Sequence, residues 1–322
     1  MIIIDSIYIN SYGGKLLLIC LIDSLRKKKD LKNYLFFFDE RLTFDFNISE
    51  INYVKVRPNH FSRKKAYQKN VKKIKKVFCF SNVPPPLKLK CSVYIYFHNL
   101  LLIKWNTPIH FIKFLYTLYF NRATYNWITQ TEYTKKYLTK RIRLKNKNVF
   151  VLPFFKVDDI KFRVKDFNSK KLIFVYPTSN NNHKNLKNTI KAFLEVKTNS
   201  SLELYITVEG NNIKIMNKNI IYTGLLNRKE LLSVYDKSHY LILPSKTESL
   251  GLPVIEAIKS GSKILVSAIP TFNEICEPTY FFNPENNLEI RNAIELACKD
   301  KNKTMPELKI RNQITDLISL VS

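Results

Sequence analysis

Cysteine is one of the residues that this sequence nearly lacks. Five cysteines occur among 322 residues, an odd number with no pair at the CxxC spacing of zinc sites and redox pairs. The scarcity excludes a disulfide framework and a cysteine-rich zinc domain, and it predicts reduced, buried thiols in a cytoplasmic protein. The five are Cys20, Cys79, Cys91, Cys276 and Cys298.

Long apolar runs are also missing. No window holds 18 uninterrupted apolar residues, so we expect no transmembrane helix. The opening stretch MIIIDSIYIN lacks a basic n-region and carries Asp5 inside its apolar run. This pattern predicts a first β-strand rather than a signal peptide.

Acidic residues are few, since 26 Asp and Glu stand against 53 Lys and Arg and leave a formal net charge of +27. The densest basic runs all lie in the first half, and they read LRKKKDLK, SRKKAYQKNVKKIKK and KKYLTKRIRLKNKNV. One interpretation is an ordinary solvated surface. Another is a basic face that an anionic membrane attracts by about 1 kcal/mol per Lys or Arg. A basic nucleic-acid-binding protein is a third, but RNP, zinc-finger and helix-turn-helix signatures are absent.

Short apolar runs recur along the chain and alternate with segments of helical character. In the first half they are IIIDSIYI, YLFFF, KVFCF, SVYIYFH, NWITQ and NVFVLP; in the second, KLIFVYP, LELYITVEG, NIIYTG, YLILP, SKILVS and TYFFN. The alternation predicts an α/β protein with parallel sheets, and the length favours two doubly wound, Rossmann-like domains. A polar stretch before Lys171 places the boundary, so we predict domains 1–160 and 161–322. Because open parallel sheets bind ligands at the carboxyl ends of their strands, we expect the two domains to face a central cleft that holds the site.

Glycine occurs only six times, and one glycine lies in the stretch SKTESLGLPVIEAIKSG. This stretch predicts a helix that begins near Leu252, with amides from Gly251 to Val254 forming an anion site. Glu248 and Glu256 flank these amides, and carboxylates bind hydroxyl groups well. An anion between two acids that bind hydroxyls is the pattern of a nucleotide-diphosphate sugar. The alternative is that both acids only favour a helix N-terminus.

The longer segment PSKTESLGLPVIEAIKSGSKILVSAIPTFNEICEPTYFFNPEN resembles the donor-binding segment of family 4 glycosyltransferases, which are retaining enzymes with the GT-B fold. Glu248 and Glu256 match the two acids of their E-x7-E signature, while Ser249 and Leu250 replace the usual Gly-Phe pair. The resemblance implies that Glu248 contacts the sugar and that Glu256 holds the nucleotide ribose.

Three further stretches extend the resemblance. IFVYPTSNNNHKNLKNTIKAF is similar to the family's loop with a diphosphate-binding lysine, although the arginine usual before that lysine is absent. DSIYINSYGGK is similar to the glycine loop, VYIYFHN to the strand whose histidine meets the transferred sugar, and ITQTEYTKKYL to the last crossover of the first domain. The implied catalytic residues are Glu248, His98 and Lys184. The implied donor contacts are Glu256, Lys184, Ser249, Leu250, Gly251, Leu252, Gly13 and Gly14, and the implied acceptor-side residues are Gly14, Lys15, Asn99 and Thr131.

The resemblance implies a hexosyltransferase that moves a sugar from a nucleotide-diphosphate sugar to a hydroxyl acceptor. It extends to bacterial enzymes that build O-antigen and capsule on polyprenyl-linked saccharides, and it implies neither a metal, nor another cofactor, nor a nucleic-acid partner. The basic first half predicts peripheral attachment to the inner face of the cytoplasmic membrane. The stretch LLLIKWNTPIHFIKFLYTLYF suits either an interfacial helix or a core helix. Because the arginine is missing, a degenerate, non-catalytic sugar-nucleotide-binding partner subunit remains an alternative.

Overall fold

A computed structural model describes residues 1–10, 12–104, 107–210, 215, 217–300 and 302–322, with only the backbone of Tyr12 and Asn146. The chain forms two compact units. Unit 1 comprises Met1–Lys156 together with Arg311–Ser322, and unit 2 comprises Val157–Ile310.

Unit 1 is built on a seven-stranded sheet in which every neighbouring pair is parallel. Its strands are β1 (Ile2–Ser6), β2 (Tyr34–Asp39), β3 (Tyr53–Val56), β4 (Lys76–Cys79), β5 (Ser92–Tyr96), β6 (Asn126–Thr129) and β7 (Val149–Val151). Its helices before the boundary are α1 (Tyr12–Lys27), α2 (His60–Asn70), α3 (Leu101–Lys104), α4 (Pro108–Phe120) and α5 (Glu132–Ile142). The strand order is β3-β2-β1-β4-β5-β6-β7. From β1 the chain adds β2 and β3 on one side and then β4 to β7 on the other, so the order switches between β1 and β4 while all strands stay parallel.

Unit 2 contains a six-stranded parallel sheet with the order β10-β9-β8-β11-β12-β14. Its strands are β8 (Lys171–Tyr176), β9 (Ser201–Ile206), β10 (Ile220–Tyr222), β11 (Tyr240–Leu243), β12 (Lys263–Ser267), β13 (Cys276–Glu277), β14 (Tyr280–Phe282) and β15 (Glu307–Leu308). Its helices are α6 (Leu186–Leu194), α7 (Arg228–Lys237), α8 (Leu252–Lys259), α9 (Pro270–Ile275) and α10 (Asn287–Lys299). Strands β13 and β15 form a separate antiparallel pair. The order reverses between β8 and β11, so a ligand site is expected at the carboxyl ends of these two strands.

The apolar runs form strands because helices cover both faces of each sheet. Every residue of β2 and of β11 is buried, which is why these strands read as unbroken apolar runs rather than as an alternating pattern. Five neighbouring strands of unit 1 each contribute at least one fully buried side chain to a common core. One from each strand is Phe37, Ile3, Val77, Ile95 and Trp127, in the order of the strands in the sheet.

The end of the chain departs from the predicted domains 1–160 and 161–322. Helix α11 (Ile314–Val321) belongs to unit 1, where it packs on α1 and β4. It buries Leu317 and Val321, and the Gln313 amide that precedes it donates to the Pro153 carbonyl at 2.8 Å. An amphipathic helix can be predicted from such a pattern, but the surface that covers its apolar side cannot.

Candidate functional site

The turn that precedes α8 requires glycine at position 251. Gly251 has a φ of +68°, and a Cβ at this position would lie 2.7 Å from Cε1 of Phe272. The helix begins at Leu252 as predicted, with Pro253 in its first turn. The expected amide set is smaller than predicted, because Pro253 has no N–H and the Val254 N–H donates to the Gly251 carbonyl at 2.8 Å. The amides of Gly251 and Leu252 are therefore the ones that this helix end can offer to an anion.

Lys184 and Glu248 lie together at the point where the strand order of unit 2 reverses. Lys184 Nζ is 2.5 Å from Glu248 Oε1, and the two side chains are 18% and 14% exposed. Their backbones are anchored separately, since the Tyr176 hydroxyl donates to the Lys184 carbonyl and the Thr271 hydroxyl donates to the Glu248 carbonyl. The loops after β8 and β11 thus bring together two residues that the sequence assigned to one ligand. An anion on Lys184 would compete with Glu248 for the ammonium group.

Glu256 is buried, with 3% of its surface exposed. Its Oε1 accepts a hydrogen bond from Nη1 of Arg228, and its Oε2 accepts one from the Tyr235 hydroxyl at 3.0 Å. Arg228 also pairs with Asp159, with Nε 2.9 Å from Oδ2 and Nη2 3.0 Å from Oδ1. Burial raises the pKa of the Glu256 carboxyl, and Arg228 opposes that rise by its positive charge. Glu256 is therefore a preorganised carboxylate whose orientation is fixed by Arg228 and Tyr235.

Arg228 and Asp159 are residues that the sequence analysis missed. A local signal existed, because Asn227 and Glu230 form a capping box that places Arg228 at the first position of α7. Nothing in the sequence pairs this arginine with Glu256, which lies 28 residues further along the chain.

The remaining predicted residues of unit 2 have different environments. Leu250 is 3% exposed, so its side chain belongs to the core and only its backbone remains for a ligand, whereas Ser249 is half-buried. Before Lys184, the Thr178 amide donates to the Thr207 hydroxyl at 2.8 Å. The 178–182 segment contains only neutral side chains, so no cation of that segment replaces the arginine that the family usually carries.

In unit 1, the glycine loop and His98 lie in contact. A Cβ on Gly14 would be 3.3 Å from Cδ1 of Ile9, which is a tight contact, and 3.7 Å from Cε1 of His98, which is an ordinary one. Gly13 is exposed beside it, in the first turn of α1. The loop and the histidine follow β1 and β5, whose carboxyl ends lie at the same edge of the sheet.

His98 is held by Asn82, another residue that the sequence analysis missed. The His98 amide donates to Oδ1 of Asn82 at 2.6 Å, and Nε2 of the ring lies 3.1 Å from Nδ2 of Asn82 and 3.2 Å from the Phe80 carbonyl. Burial lowers the pKa of His98 to about 4, so the imidazole is neutral at pH 7. A neutral ring donates or accepts a hydrogen bond without carrying charge.

These residues border a pocket of about 580 Å³ within unit 1. Its lining contains three of the predicted residues, Gly14, His98 and Asn99. Lys15 and Thr131 are not among the lining residues. Lys15 pairs with Asp45 at 2.7 Å, and the hydroxyl of Thr131, a residue 2% exposed, caps α5 by accepting from the Thr134 amide. An acceptor role for these two residues stays a prediction.

A buried ion pair supports the wall of this pocket. Arg63 and Asp5 are both 0% exposed, with Nη2 of Arg63 2.7 Å from Oδ2 of Asp5. The Tyr67 hydroxyl donates to the same carboxylate at 2.7 Å, and Nη1 of Arg63 donates to the hydroxyl of Tyr116, which lines the pocket. Asp5 interrupts an apolar run in the sequence, and its partner on α2 lies 58 residues away.

Within the described ranges, no three His, Cys, Asp or Glu side chains are arranged to hold a metal ion. No helix in those ranges combines the length and apolar character needed to cross a membrane. The five cysteines are free thiols as predicted, and all except the half-buried Cys91 are buried.

Residues 157–313 match the family described as glycosyl transferases group 1, a range that nearly coincides with unit 2. Unit 2 is a group 1 glycosyltransferase domain. The predicted resemblance is therefore confirmed, and Lys184, Glu248 and Glu256 all lie inside this domain.

Two curated relatives match part of the chain. The serotype-specific mannosyltransferase WbdA of Escherichia coli is 32% identical over 83 residues, which is 26% of this chain and 10% of that protein. The O-antigen chain mannosyltransferase RfbU of Salmonella typhimurium is 36% identical over 67 residues, 20% of this chain and 19% of that protein. The matched parts thus span between a tenth and a fifth of these relatives.

A solved structure extends the likeness beyond the group 1 domain. The structure of HepE from Anabaena in complex with UDP and glucose aligns with a TM-score of 0.72 and 12% identity, covering 99% of this chain and 95% of that one. At this identity the likeness concerns the fold. The predicted α/β GT-B fold class, with two doubly wound parallel sheets, is confirmed.

Proposed function

We propose that the protein is a retaining glycosyltransferase that moves a sugar from a nucleotide-diphosphate sugar to a hydroxyl group of a lipid-linked saccharide in surface polysaccharide synthesis. The observation that carries this proposal is the Lys184–Glu248 pair beside the Gly251 helix end, within a group 1 glycosyltransferase domain. The names of the two mannosyltransferase relatives and of the UDP-bound structure support a sugar donor of this kind.

The donor is assigned to the loops at the carboxyl ends of β8 and β11. Lys184 and the amides of Gly251 and Leu252 bind the diphosphate, Glu248 accepts hydrogen bonds from the sugar, and Glu256 accepts them from the ribose. As the glycosidic bond loosens, negative charge grows on the leaving diphosphate. Fixed positive groups stabilise that state more than the ground state, which lowers the barrier without a metal or another cofactor.

His98 is assigned a hydrogen bond to the transferred sugar. Because its pKa of about 4 keeps the ring neutral near pH 7, it acts as a hydrogen-bonding group rather than as a counter-ion. Glu248 is already paired with Lys184, and we assign it to positioning of the donor rather than to nucleophilic attack. The stereochemistry is then retained without a covalent protein intermediate.

Helix α4 is proposed to rest in the interface of the cytoplasmic leaflet. It contains no acidic residue, and most of its large apolar side chains are exposed, whereas Phe114 and Thr117 are its buried residues. The exposed ones are Ile109, Phe111, Ile112, Leu115, Leu118 and Tyr119. Apolar side chains at headgroup depth and the basic first half of the chain suit an anionic membrane. Trp105, which belongs to the stretch that suits either an interfacial or a core helix, lies outside the described residues.

One observation favours a second candidate, a sugar-nucleotide-binding subunit that does not catalyse transfer. The segment 178–182 has no cation to share the diphosphate with Lys184. A site with one lysine would bind a donor. It would stabilise the charge on the leaving diphosphate too weakly for transfer at a useful rate.

Thermal stabilisation by UDP-, GDP-, ADP- and dTDP-sugars tests donor binding. A donor at one hundred times its dissociation constant stabilises the folded state by about 2.7 kcal/mol. We expect a shift with one nucleotide class that is lost in Lys184→Ala and Glu256→Ala. The pair Lys171–Glu203 supplies the controls, because Lys171 is the first residue of β8 and lies at the opposite end of that strand from the donor loops. Lys171→Ala and Glu203→Ala are expected to keep the shift. A folded protein that no donor stabilises contradicts the proposal, and salt-sensitive binding of DNA by that protein would favour the nucleic-acid alternative.

A further inference from the structure

The pocket of unit 1 has a lining without any Asp or Glu side chain. It is bordered by the segments that follow β1, β3, β4 and β5, and by one side of α4. Its uncharged hydrogen-bonding groups include four amide side chains and two phenols, namely Asn10, Asn59, Asn82, Asn99, Tyr8 and Tyr116. Such a lining binds hydroxyl groups and tolerates negative charge.

Lys113 brings a positive charge to this lining without a carboxylate to balance it. Its side chain is half-buried, and Nζ lies 5.5 Å from the ring centroid of Tyr8. Among the described residues it has no ion pair. Asp5 and Asp39, whose charges act on the neighbouring Tyr8, are bonded to Arg63 and Arg41. Burial lowers the pKa of Lys113, and the charge of Arg41 lowers it further. A bound anion would relieve both effects.

The other groups around Lys113 do not compete for this role. His60 and His98 also line the pocket, and burial lowers the pKa of each, so both imidazoles favour the neutral form near pH 7. Arg41 lies close enough to repel Lys113 electrostatically, but its guanidinium is bonded to Asp39. Lys113 is consequently the lining residue that remains to pair with an anion.

The rim of the pocket is apolar on the α4 side. Ile109 and Ile112 both line the pocket, and each is 64% exposed. They continue into the exposed apolar side chains of α4, so a ligand that leaves the pocket past Lys113 meets hydrocarbon rather than polar surface. A ligand that matches both features carries an anionic group next to an apolar chain.

We propose that this pocket binds the phosphate or diphosphate group of a lipid-linked acceptor, with Lys113 as the counter-cation and Ile109 and Ile112 beside the first part of the lipid. This inference rests on the proposed function and names the acceptor chemistry of that function. The amide and phenol side chains then contact the saccharide next to the phosphate.

Binding of farnesyl diphosphate, farnesol and inorganic pyrophosphate to the full-length protein separates the two features of the ligand. We expect farnesyl diphosphate to raise the melting temperature at concentrations where neither of the other two does. Lys113→Met is expected to weaken farnesyl diphosphate binding about tenfold or more, because it removes a charge-assisted contact. Lys113→Arg keeps the charge and retains most of the affinity, and Lys65→Met, an exposed lysine of α2, leaves it unchanged.

Two results would overturn the proposal. One is equal stabilisation of wild type and Lys113→Met by farnesyl diphosphate, which would remove Lys113 from the site. The other is stabilisation by pyrophosphate as strong as by farnesyl diphosphate, which would make the ligand a free phosphate compound. Nucleotide-sugar binding is measured on the same variants, and we expect it to be unchanged in Lys113→Met. A failure at the acceptor pocket is thereby distinguished from a failure of donor binding.

Discussion

Arg228 is hydrogen-bonded to the carboxylate of Glu256 and, through Nε and Nη2, to the carboxylate of Asp159. One arginine therefore connects the segment before β8 to the acid that we assign to the ribose. A buried carboxylate accepts hydrogen bonds from hydroxyl groups best when it is ionised. The positive charge of Arg228 favours the ionised form of Glu256. Arg228 acts as a positioning residue for the donor site.

Replacing Arg228 by Gln is expected to make donor binding depend on pH. Burial already holds the pKa of Glu256 above its usual value, and without the arginine it rises further. Glu256 is then protonated at low pH and regains its charge as the pH rises. The dissociation constant of the donor, measured by calorimetry from pH 5.5 to 8.5, should fall with pH in the variant and continue to fall at pH values where the wild-type constant has levelled off.

The same variant has a stability signature with a definite sign. Because the folded-state pKa of Glu256 exceeds the unfolded value, the free energy of unfolding declines as the pH rises between the two values. Arg228→Gln extends this decline to higher pH. The loss at high pH should be smaller than the roughly 3–5 kcal/mol of a fully buried pair, because the Arg228 side chain is 26% exposed. Arg228→Lys, which keeps the charge, restores most of the wild-type profile. A pH-independent loss would assign Arg228 a packing role only.

Gly251→Ala is expected to destabilise unit 2 by about 2 kcal/mol, from a left-handed backbone and from overpacking against Phe272. Gly224 provides a matched control, because its φ is +70° and the nearest atom to an added Cβ is 4.0 Å away. Gly224→Ala should show the backbone cost alone, about 1 kcal/mol. Urea unfolding of both variants measures the difference. Equal losses of unfolding free energy in the two variants would mean that the Phe272 ring moves aside and that the Gly251 turn is not tightly packed.

His98 should make stability depend on pH in acid solution. Its folded-state pKa of about 4 lies below the unfolded value of about 6.5, so the stabilisation is complete above pH 6.5 and is lost as the pH falls toward 4. We expect His98→Gln to flatten this part of the profile. NMR of the imidazole Cε1–H resonances should show one histidine that does not titrate above pH 5. Titration of all five near pH 6.5 would contradict a neutral His98 imidazole.

Arg63→Met is expected to cost roughly 3–5 kcal/mol, because it leaves the buried Asp5 carboxylate without its partner. Adding Asp5→Asn removes the unpaired buried charge, so the double variant should be more stable than Arg63→Met alone. Denaturant unfolding of the two single variants and the double variant gives the coupling energy. Additive losses would show that the pair does not act as a unit.

Local patterns predicted much of the fold and part of the site. The apolar runs marked the strands because both faces of each sheet are covered, and the turn at Gly251 was predictable from its proline and its two acids. Lys184 and Glu248 were predicted separately, and the strand order of unit 2 brings them together. Each of these two residues lies in a short motif, and such a motif can be recognised from residues that are adjacent in the sequence.

The partners formed over long sequence separations could not be predicted. Arg228 looks like an exposed residue at a helix start, and Arg63 like one more charge in a basic run. The folded structure pairs Arg228 with Glu256 and Arg63 with Asp5. The same applies to α11, whose apolar side was visible but whose place in unit 1 was not.

Transfer itself is the most direct test of the central claim. The purified protein is incubated with the labelled donor that stabilises it and with membranes that carry lipid-linked saccharide, and label in the lipid fraction is measured. We predict incorporation by wild type and by Lys171→Ala, and a loss of at least a hundredfold in Lys184→Ala, in line with removal of one group that stabilises the leaving charge. Donor binding without incorporation by any variant, over a range of acceptors, would contradict the account and identify the protein as a non-catalytic binding subunit.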